Sequence, residues 1–410
     1  MESGKMRRVA ITGIGIVSCL GTGVEKVAES LKNGKSGIRF LPERLDIGYR
    51  SGLSSVIDDF EPPKLSRKQR KTMTEFSIQA YAAALEAIKM SGWSENEIQH
   101  EKTGLIIGND SSGLANIEQI DILRKEKSTF PIGASLIFQV LNSTVTMNLN
   151  TIFKNTGASW TLSSACSSGG HAIGQAADLI AYGRQDRVIC GGAQEINWES
   201  VSSFDATNAF STKHESPEEA SRPFDKDRDG LVPGGGAAIV LLENYDMAKK
   251  RGANILGELY SYAFSSDGAA LSAPSGEGLG RAIKECVKRA DIRPEQVDLI
   301  CAHATSTPLG DIAEARAINS VFGEKTPWVS CVKSMTGHEM WMSGASQVVY
   351  TMIMGQGGFV APNINFVAQE EGAPSLKISQ ETIEHKSEFA LLNSAGFGGT
   401  NSCLLLKNMV

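Results

Sequence analysis

Short apolar runs alternate with amphipathic stretches along most of this chain. Runs at 8–13, 104–108, 187–191, 237–242, 298–302, 327–332, 388–393 and 402–406 predict strands. Several are continuously apolar, as expected of strands buried on both faces. Helices are predicted between them. One spans 74–91, with Phe76, Tyr81, Leu85 and Ile88 on one face and a stop at Gly92. Ser94 and Glu97 stand at capping-box spacing for a short helix that follows. Others are predicted over 278–290, with Ile283 and Val287 one turn apart, and over 311–321, opened by Asp311. The alternation predicts an α/β protein with largely buried sheets. No proline-rich or low-complexity linker divides the chain. The nearest thing to a joint is 243–255, ENYDMAKKRGANI, and residue identities alone show no internal repeat.

Composition narrows this picture. A length of 410 residues allows two or three domains, or two fused halves. The net charge of −6 argues against a general nucleic-acid binder. The first apolar run is broken by Gly13 and Gly15 and is too short to cross a bilayer. No signal-peptide cleavage pattern follows it, so a cytoplasmic protein without a membrane segment is expected. The seven cysteines are odd in number and include no C-x-x-C pair, which argues against a disulfide framework and against a zinc site. Cys190, Cys301 and Cys403 sit in strand-like runs and read as small buried hydrophobes.

The sharpest chemical signal is SWTLSSACSSGGHAIGQAADLIAYG, 159–183. A strand runs into small residues and Cys166, and a helical pattern follows through Ala172, Ile173, Ala176, Ala177 and Ile180. A thiol at a strand-to-helix turn meets free N–H groups and the positive helix end, which lower its pKa. Ser167, Ser168, Gly169 and Gly170 leave room for a substrate. Three further segments carry polar or flexible chemistry. They are CAHATSTPLGD, 301–311, with His303, Thr305 and Thr307; VKSMTGH, 332–338, with Lys333 and His338; and NSAGFGGTN, 393–401. The stretch GLVPGGG, 230–236, is no P-loop, because no Lys-Ser or Lys-Thr follows it.

Together these segments resemble the β-ketoacyl-acyl carrier protein synthase family, in its elongating branch. RRVAITGIGIVSCLG is similar to the family's opening strand and loop, SRPFDKDRDGLVPGGGAAIVLLE to another of its segments, and SSDGAALSAPSGEG also looks familiar. The order is right and nearly the whole chain is covered. The resemblance implies a thiolase fold: two similar βα halves, 1–250 and 251–410, packed as a five-layer αβαβα sandwich. It implies Cys166 as nucleophile and His303, His338 and Lys333 as its catalytic companions. Backbone N–H groups of Cys166 and Phe397 would form the oxyanion hole. Asp311 and Glu314 would hold the surrounding loop and Lys333, and Thr305 and Thr307 would line the pantetheine tunnel. The expected reaction is decarboxylative condensation of an acyl thioester with malonyl-acyl carrier protein. No metal or redox cofactor is expected, since phosphopantetheine arrives on the carrier. Lys64, Arg67, Lys68, Arg70 and Lys71, with Arg124, Lys125 and Lys127, would dock that acidic partner. A homodimer is expected, and a heterodimer with a homologue is the variant form.

Three positions depart from the family pattern. Residues 339–345 read EMWMSGA where small residues are usual, Ala395 replaces an aromatic, and Ala304 replaces a glycine after His303. These point to an altered acyl cavity or subunit contact, and keep open a specialised polyene or polyketide pathway beside fatty acid synthesis. A thiolase acting on CoA esters would want a second cysteine in the 396–399 loop, which reads GFGG. A non-catalytic chain-length subunit would be expected to lack the nucleophile.

Overall fold

The computed structural model describes residues 6–409. Eleven strands follow one hydrogen-bonded path. In chain order they are β1 (Val9–Ser18), β2 (Thr103–Gly108), β3 (Ser159–Leu162), β4 (Arg187–Gln194), β5 (Gly236–Asn244), β6 (Gly257–Ser266), β7 (Leu299–Cys301), β8 (Trp328–Ser330), β9 (Lys377–Ile378), β10 (Phe389–Gly396) and β11 (Thr400–Asn408). Their spatial order is β9-β8-β7-β10-β11-β6-β1-β5-β4-β2-β3. The path contains the same five-strand unit twice. From the outside inward, β3-β2-β4-β5-β1 has the pairings parallel, parallel, antiparallel, antiparallel. The run β8-β7-β10-β11-β6 has the same series. The two units meet where Val9–Ile11 pairs with Gly257–Leu259. The repeat that residue identities hide is therefore present in the topology.

Alternate side chains on each strand go to different cores, as the two-residue period requires. Leu105, Ile107, Ile189, Ile239 and Leu241 pack against α1 (Glu75–Ser91) and α3 (Thr144–Phe153), with α2 (Gly113–Glu126) lying between these two in the chain. Ile106, Val188, Cys190, Val240 and Leu242 face the opposite way, into a core shared with Leu299, Cys301, Leu392, Leu404 and Leu406. That core holds α4 (Ser168–Ala181) and the last long helix, Ser343–Gly357. Ile300, Leu391, Cys403 and Leu405 face outward again, onto α5 (Glu277–Arg289) and α6 (Pro308–Phe322), which makes Ser343–Gly357 α7. The result is five layers, helix–sheet–helix–sheet–helix, as the resemblance implies.

Several elements differ from expectation. The buried face of α1 is Phe76, Ala80, Ala83, Ala84 and Ala87, whereas Leu85 is exposed and Tyr81 and Ile88 are half-buried. The cause lies on β1. A Cβ at Gly13 or Gly15 would sit 2.3 or 2.0 Å from the carbonyl oxygens of Ala87 and Ala83, so the alanine side is the one that reaches the sheet. Helix α6 begins at Pro308, three residues before Asp311, because proline suits the first helical turn. Strand β6 directly follows the segment read as a joint. All seven cysteines are free, and six of them are buried.

Candidate active site

Helices α4 and α7 run through the middle layer and come together at their first turns. A Cβ at Gly344 would fall 2.3 Å from the backbone nitrogen of Gly170. This close approach sets the residues just before each helix side by side: Cys166 before α4, and His338 before α7. His303 follows β7, and Phe397 follows β10. The site thus forms at strand ends drawn from both five-strand units.

His338 Nε2 lies 3.1 Å from Cys166 Sγ. The His303 and His338 rings stand 5.2 Å apart at 89°. Both histidines and Lys333 are buried. Ala165, with φ +45°, makes the sharp turn that presents the thiol, and its N–H donates to Asp110 Oδ2 at 3.1 Å. The turn is anchored further by Ser164 and Thr400, whose hydroxyls are 2.8 Å apart.

The helix-end effect does not set the state of the thiol. Burial pushes the Cys166 thiol up to about 12, while Lys333 and the backbone N–H groups of Cys166 and Phe397 pull it down. The sulfur therefore holds its proton at neutral pH. Those two N–H groups also mark where an oxyanion formed at the sulfur would be held. Both histidines are held well below their ordinary range, first by burial and then by Lys333. They are neutral imidazoles, each able to donate from one nitrogen and accept at the other.

Glu314 fixes the loop that carries His303. Its carboxylate accepts from His303 N–H at 2.9 Å, from Ala304 N–H at 2.6 Å and from Asn393 Nδ2 at 3.0 Å. Asp311 accepts from Phe224 N–H at 2.7 Å and lies 3.7 Å from Arg228 Nε. Neither carboxylate is hydrogen-bonded to Lys333, whose Nζ is buried without a partner, as is His303 Nδ1. Thr305 and Thr307 bond to each other at 3.0 Å. With Cys166, His303, His338, Ala395 and Phe397 they line a cavity of about 530 Å³.

Two residues enter the site that the motifs did not single out. Ser343 Oγ lies 3.2 Å from His338 Nδ1. A hydroxyl can serve either tautomer. When Ser343 accepts, Nε2 is bare and can take the thiol proton; when it donates, Nε2 carries a proton for a substrate oxygen. Ser343 belongs to the segment read only for its bulk. Phe204 lines the cavity, with its ring 5.6 Å from that of Phe397. It stands in a stretch with no motif, and no local signal marks it.

The basic residues lie apart from this cavity. Arg67–Arg70 forms one helical turn with Ser66 and Gln69 as a capping box. Lys64, Arg67, Lys68, Arg70 and Lys71 are exposed, and none is in an ion pair among the described residues. Arg124 and Lys125, by contrast, are each 3.6 Å from an acidic neighbour, Asp121 and Glu126, and Lys127 ends α2 with φ +52°.

Comparison with known proteins agrees with this geometry across the full chain. The family model for the β-ketoacyl synthase N-terminal domain matches residues 6–248, and that for the C-terminal domain matches 256–367. The 3-oxoacyl-[acyl-carrier-protein] synthase 1 of Haemophilus influenzae is 40% identical over 405 residues, covering 98% of this chain and 99% of the relative. A β-ketoacyl synthase from Burkholderia phymatum superposes with a TM-score of 0.94 at 31% identity, covering 99% of this chain and 100% of that one. A type II PKS ketosynthase, solved in the complex AntDE:AntF with its acyl-carrier protein, gives 0.90 at 27% identity, covering 98% and 100%. Two domain matches in sequence order, a relative similar from end to end and a shared five-layer fold leave one assignment: this chain belongs to the β-ketoacyl synthase family.

Proposed function

We propose that this chain is a 3-oxoacyl-[acyl carrier protein] synthase of fatty acid elongation. The observation that carries the reading is the 3.1 Å contact between His338 Nε2 and Cys166 Sγ, with His303 beside it. Cys166 takes the acyl group from a carrier thioester, forming the Cys–acyl bond and releasing the carrier thiol. Malonyl-carrier protein then loses carbon dioxide, and His303 and His338 donate to the enolate oxygen. The enolate carbon attacks the acyl-cysteine, the C–S bond breaks, and a 3-oxoacyl group two carbons longer leaves on the carrier. Every group this sequence uses is a side chain or backbone amide, so the reading calls for no metal or redox cofactor. It places the protein in the cytoplasm, and no described helix is long and apolar enough to cross a membrane.

The carrier protein is the proposed partner. An acyl-carrier protein accompanies the ketosynthase in the AntDE:AntF complex, and the unpaired basic turn at 67–71 suits an acidic surface. Changing Arg67, Lys68, Arg70 and Lys71 to Glu is expected to raise KM for carrier-bound substrate with a smaller effect on kcat, since exposed charge acts mainly on encounter. The effect shrinks at 1 M salt, where screening shortens to about 3 Å. Unchanged KM for the carrier-bound substrate would argue against this surface.

A second copy of the chain is proposed on the β3 side. Strand β3 is a sheet edge, and Trp160 on it is exposed, as are Ile117, Ile120 and Leu123 on α2 and Phe130, Ile137, Phe138 and Leu141 between α2 and α3. An open sheet edge with an exposed tryptophan, and so many exposed apolar side chains between 117 and 141, want a cover. A homologue lacking the nucleophile could take the same place, the arrangement a polyketide role would use.

The direct test is intact-mass analysis after incubation with acyl-carrier proteins. The expected result is one acyl adduct, mapped to Cys166, with release of free carrier thiol. No adduct on the cysteine would sink the synthase reading.

A further inference from the structure

The bulky segment after His338 splits in two directions. Met342 packs into the middle-layer core that also holds Val348 and Tyr350. Met340 and Trp341 instead join Cys166, Val201, Phe210 and Leu231 in a separate apolar cluster, with Phe204 packed against it. Met340 is fully buried and Trp341 only 7% exposed. The turn is seated on two glycines: a Cβ at Gly169 or Gly192 would lie 3.0 or 3.1 Å from the Trp341 carbonyl oxygen. The indole is fixed as well. Its N–H donates to Ser111 Oγ at 3.0 Å, on the loop after β2 that also holds Asp110. The Phe204 ring lies 6.1 Å from the indole, and 6.4 Å from Phe210, to which it is nearly parallel.

Cys166, Phe204, Ala209 and Leu231 belong both to this cluster and to the wall of the 530 Å³ cavity, whereas Met340 and Trp341 do not touch the cavity. These four shared residues are therefore a partition. On one side is open space that reaches the histidines past Thr305 and Thr307; on the other is packed side chain. An acyl chain stored on Cys166 needs apolar surroundings, and the open side must also admit the second thioester. The packed side is the natural apolar room, and here the indole fills it.

We propose that Trp341 is the acyl-length stop of this chain, so that Cys166 stores short acyl groups and excludes long ones. The proposal rests on the synthase reading and names its substrate class. A packed interior admits no extra methylenes without displacing a side chain. Where room exists, each buried methylene improves binding by about fourfold. Removing the indole therefore converts exclusion of long chains into preference for them.

The test uses the full-length protein and an equimolar mixture of butyryl-, hexanoyl-, octanoyl- and dodecanoyl-carrier proteins, read by intact mass of the Cys166 adduct. The unaltered chain is expected to carry butyryl or hexanoyl groups. Trp341→Ala is expected to raise the ratio of dodecanoyl to butyryl adduct at least tenfold. Trp341→Phe should fall between, and Ser111→Ala, which frees the indole, should give a smaller rise. Melting temperatures show which variants are folded, and Trp341→Phe decides if the alanine variant is not. The proposal fails if the ratio is the same in the folded Trp341 variants and the unaltered chain, or if the unaltered chain already prefers dodecanoyl. No adduct of any length on the unaltered chain overturns the synthase reading, and the length stop with it.

Discussion

Cys166→Ala is expected to abolish acyl transfer and condensation while leaving malonyl-carrier protein decarboxylation in place. The thiol is the nucleophile at the turn that meets a histidine, while the hydroxyls of Ser167 and Ser168 are tied to backbone carbonyls of the turn. Burial keeps the sulfur protonated, with its pKa pushed up to about 12, so attack requires the proton to leave as the C–S bond forms. His338 Nε2, at 3.1 Å, is placed to receive it. The N–H groups of Cys166 and Phe397 then face the oxygen that becomes negative. Alanine keeps both N–H groups and both histidines, so the enolate step still has its donors. The stability cost should be small, about 1 kcal/mol for one deleted sulfur in a packed site. Mass analysis for the adduct, radiolabelled carbon dioxide release and a melting curve check the three parts separately. Condensation by the folded variant would remove Cys166 from its role.

The residues that carry the chemistry were legible because each lies at a local break in pattern. Cys166 stands where a strand turns to a helix, His303 where a buried run meets a polar loop, and Phe397 within a glycine turn. The strands were legible where both faces are buried, as at Ile106, Ile189 and Ile300, because the apolar run is then unbroken. What was hidden depends on contacts distant in sequence. Helix α7 is buried almost all round, so it has no polar face and no helical period to detect. Strand β6 exposes Tyr260 and Phe264 and carries several serines, which masks it as a strand. The alanine face of α1 reaches the sheet only because two glycines on β1 admit it. The N–H groups at the helix end do pull the Cys166 pKa down as expected, but burial outweighs them, for a related reason. Depth of burial is a property of the packed layers, and no neighbouring residue in the sequence announces it.

His303→Ala and His338→Ala are each expected to reduce malonyl decarboxylation about 10²–10³-fold, the cost of losing one donor to a developing oxyanion. Acyl transfer should fall less for His303→Ala, because His338 alone lies at the sulfur. The enolate oxygen gains its charge only in the second half-reaction, so a donor aimed there acts on that transition state and not on substrate binding. Lys333 supplies a sharper test. Its charge is one of the causes that hold both histidines well below their ordinary 6.5, after burial. A lowered histidine pKa leaves the ring neutral through the neutral range, so activity is expected to be flat there and to fall only as acid protonates the pair below 6.5. Lys333→Met removes the cation and fills similar volume, and the Nζ it deletes is buried without a hydrogen-bond partner, so the variant should fold. With the cation gone, the histidines protonate more readily and the acid limb moves to higher pH. The same linkage appears in stability. Below 6.5 the unfolded chain takes up histidine protons that the folded chain refuses, so the folded state loses stability as pH falls, and Lys333→Met lessens that loss. The pH profiles of decarboxylation and of melting temperature, measured on both proteins, check the two effects together. An acid limb that stays in place, or moves to lower pH, would show that Lys333 does not set the charge state of the pair.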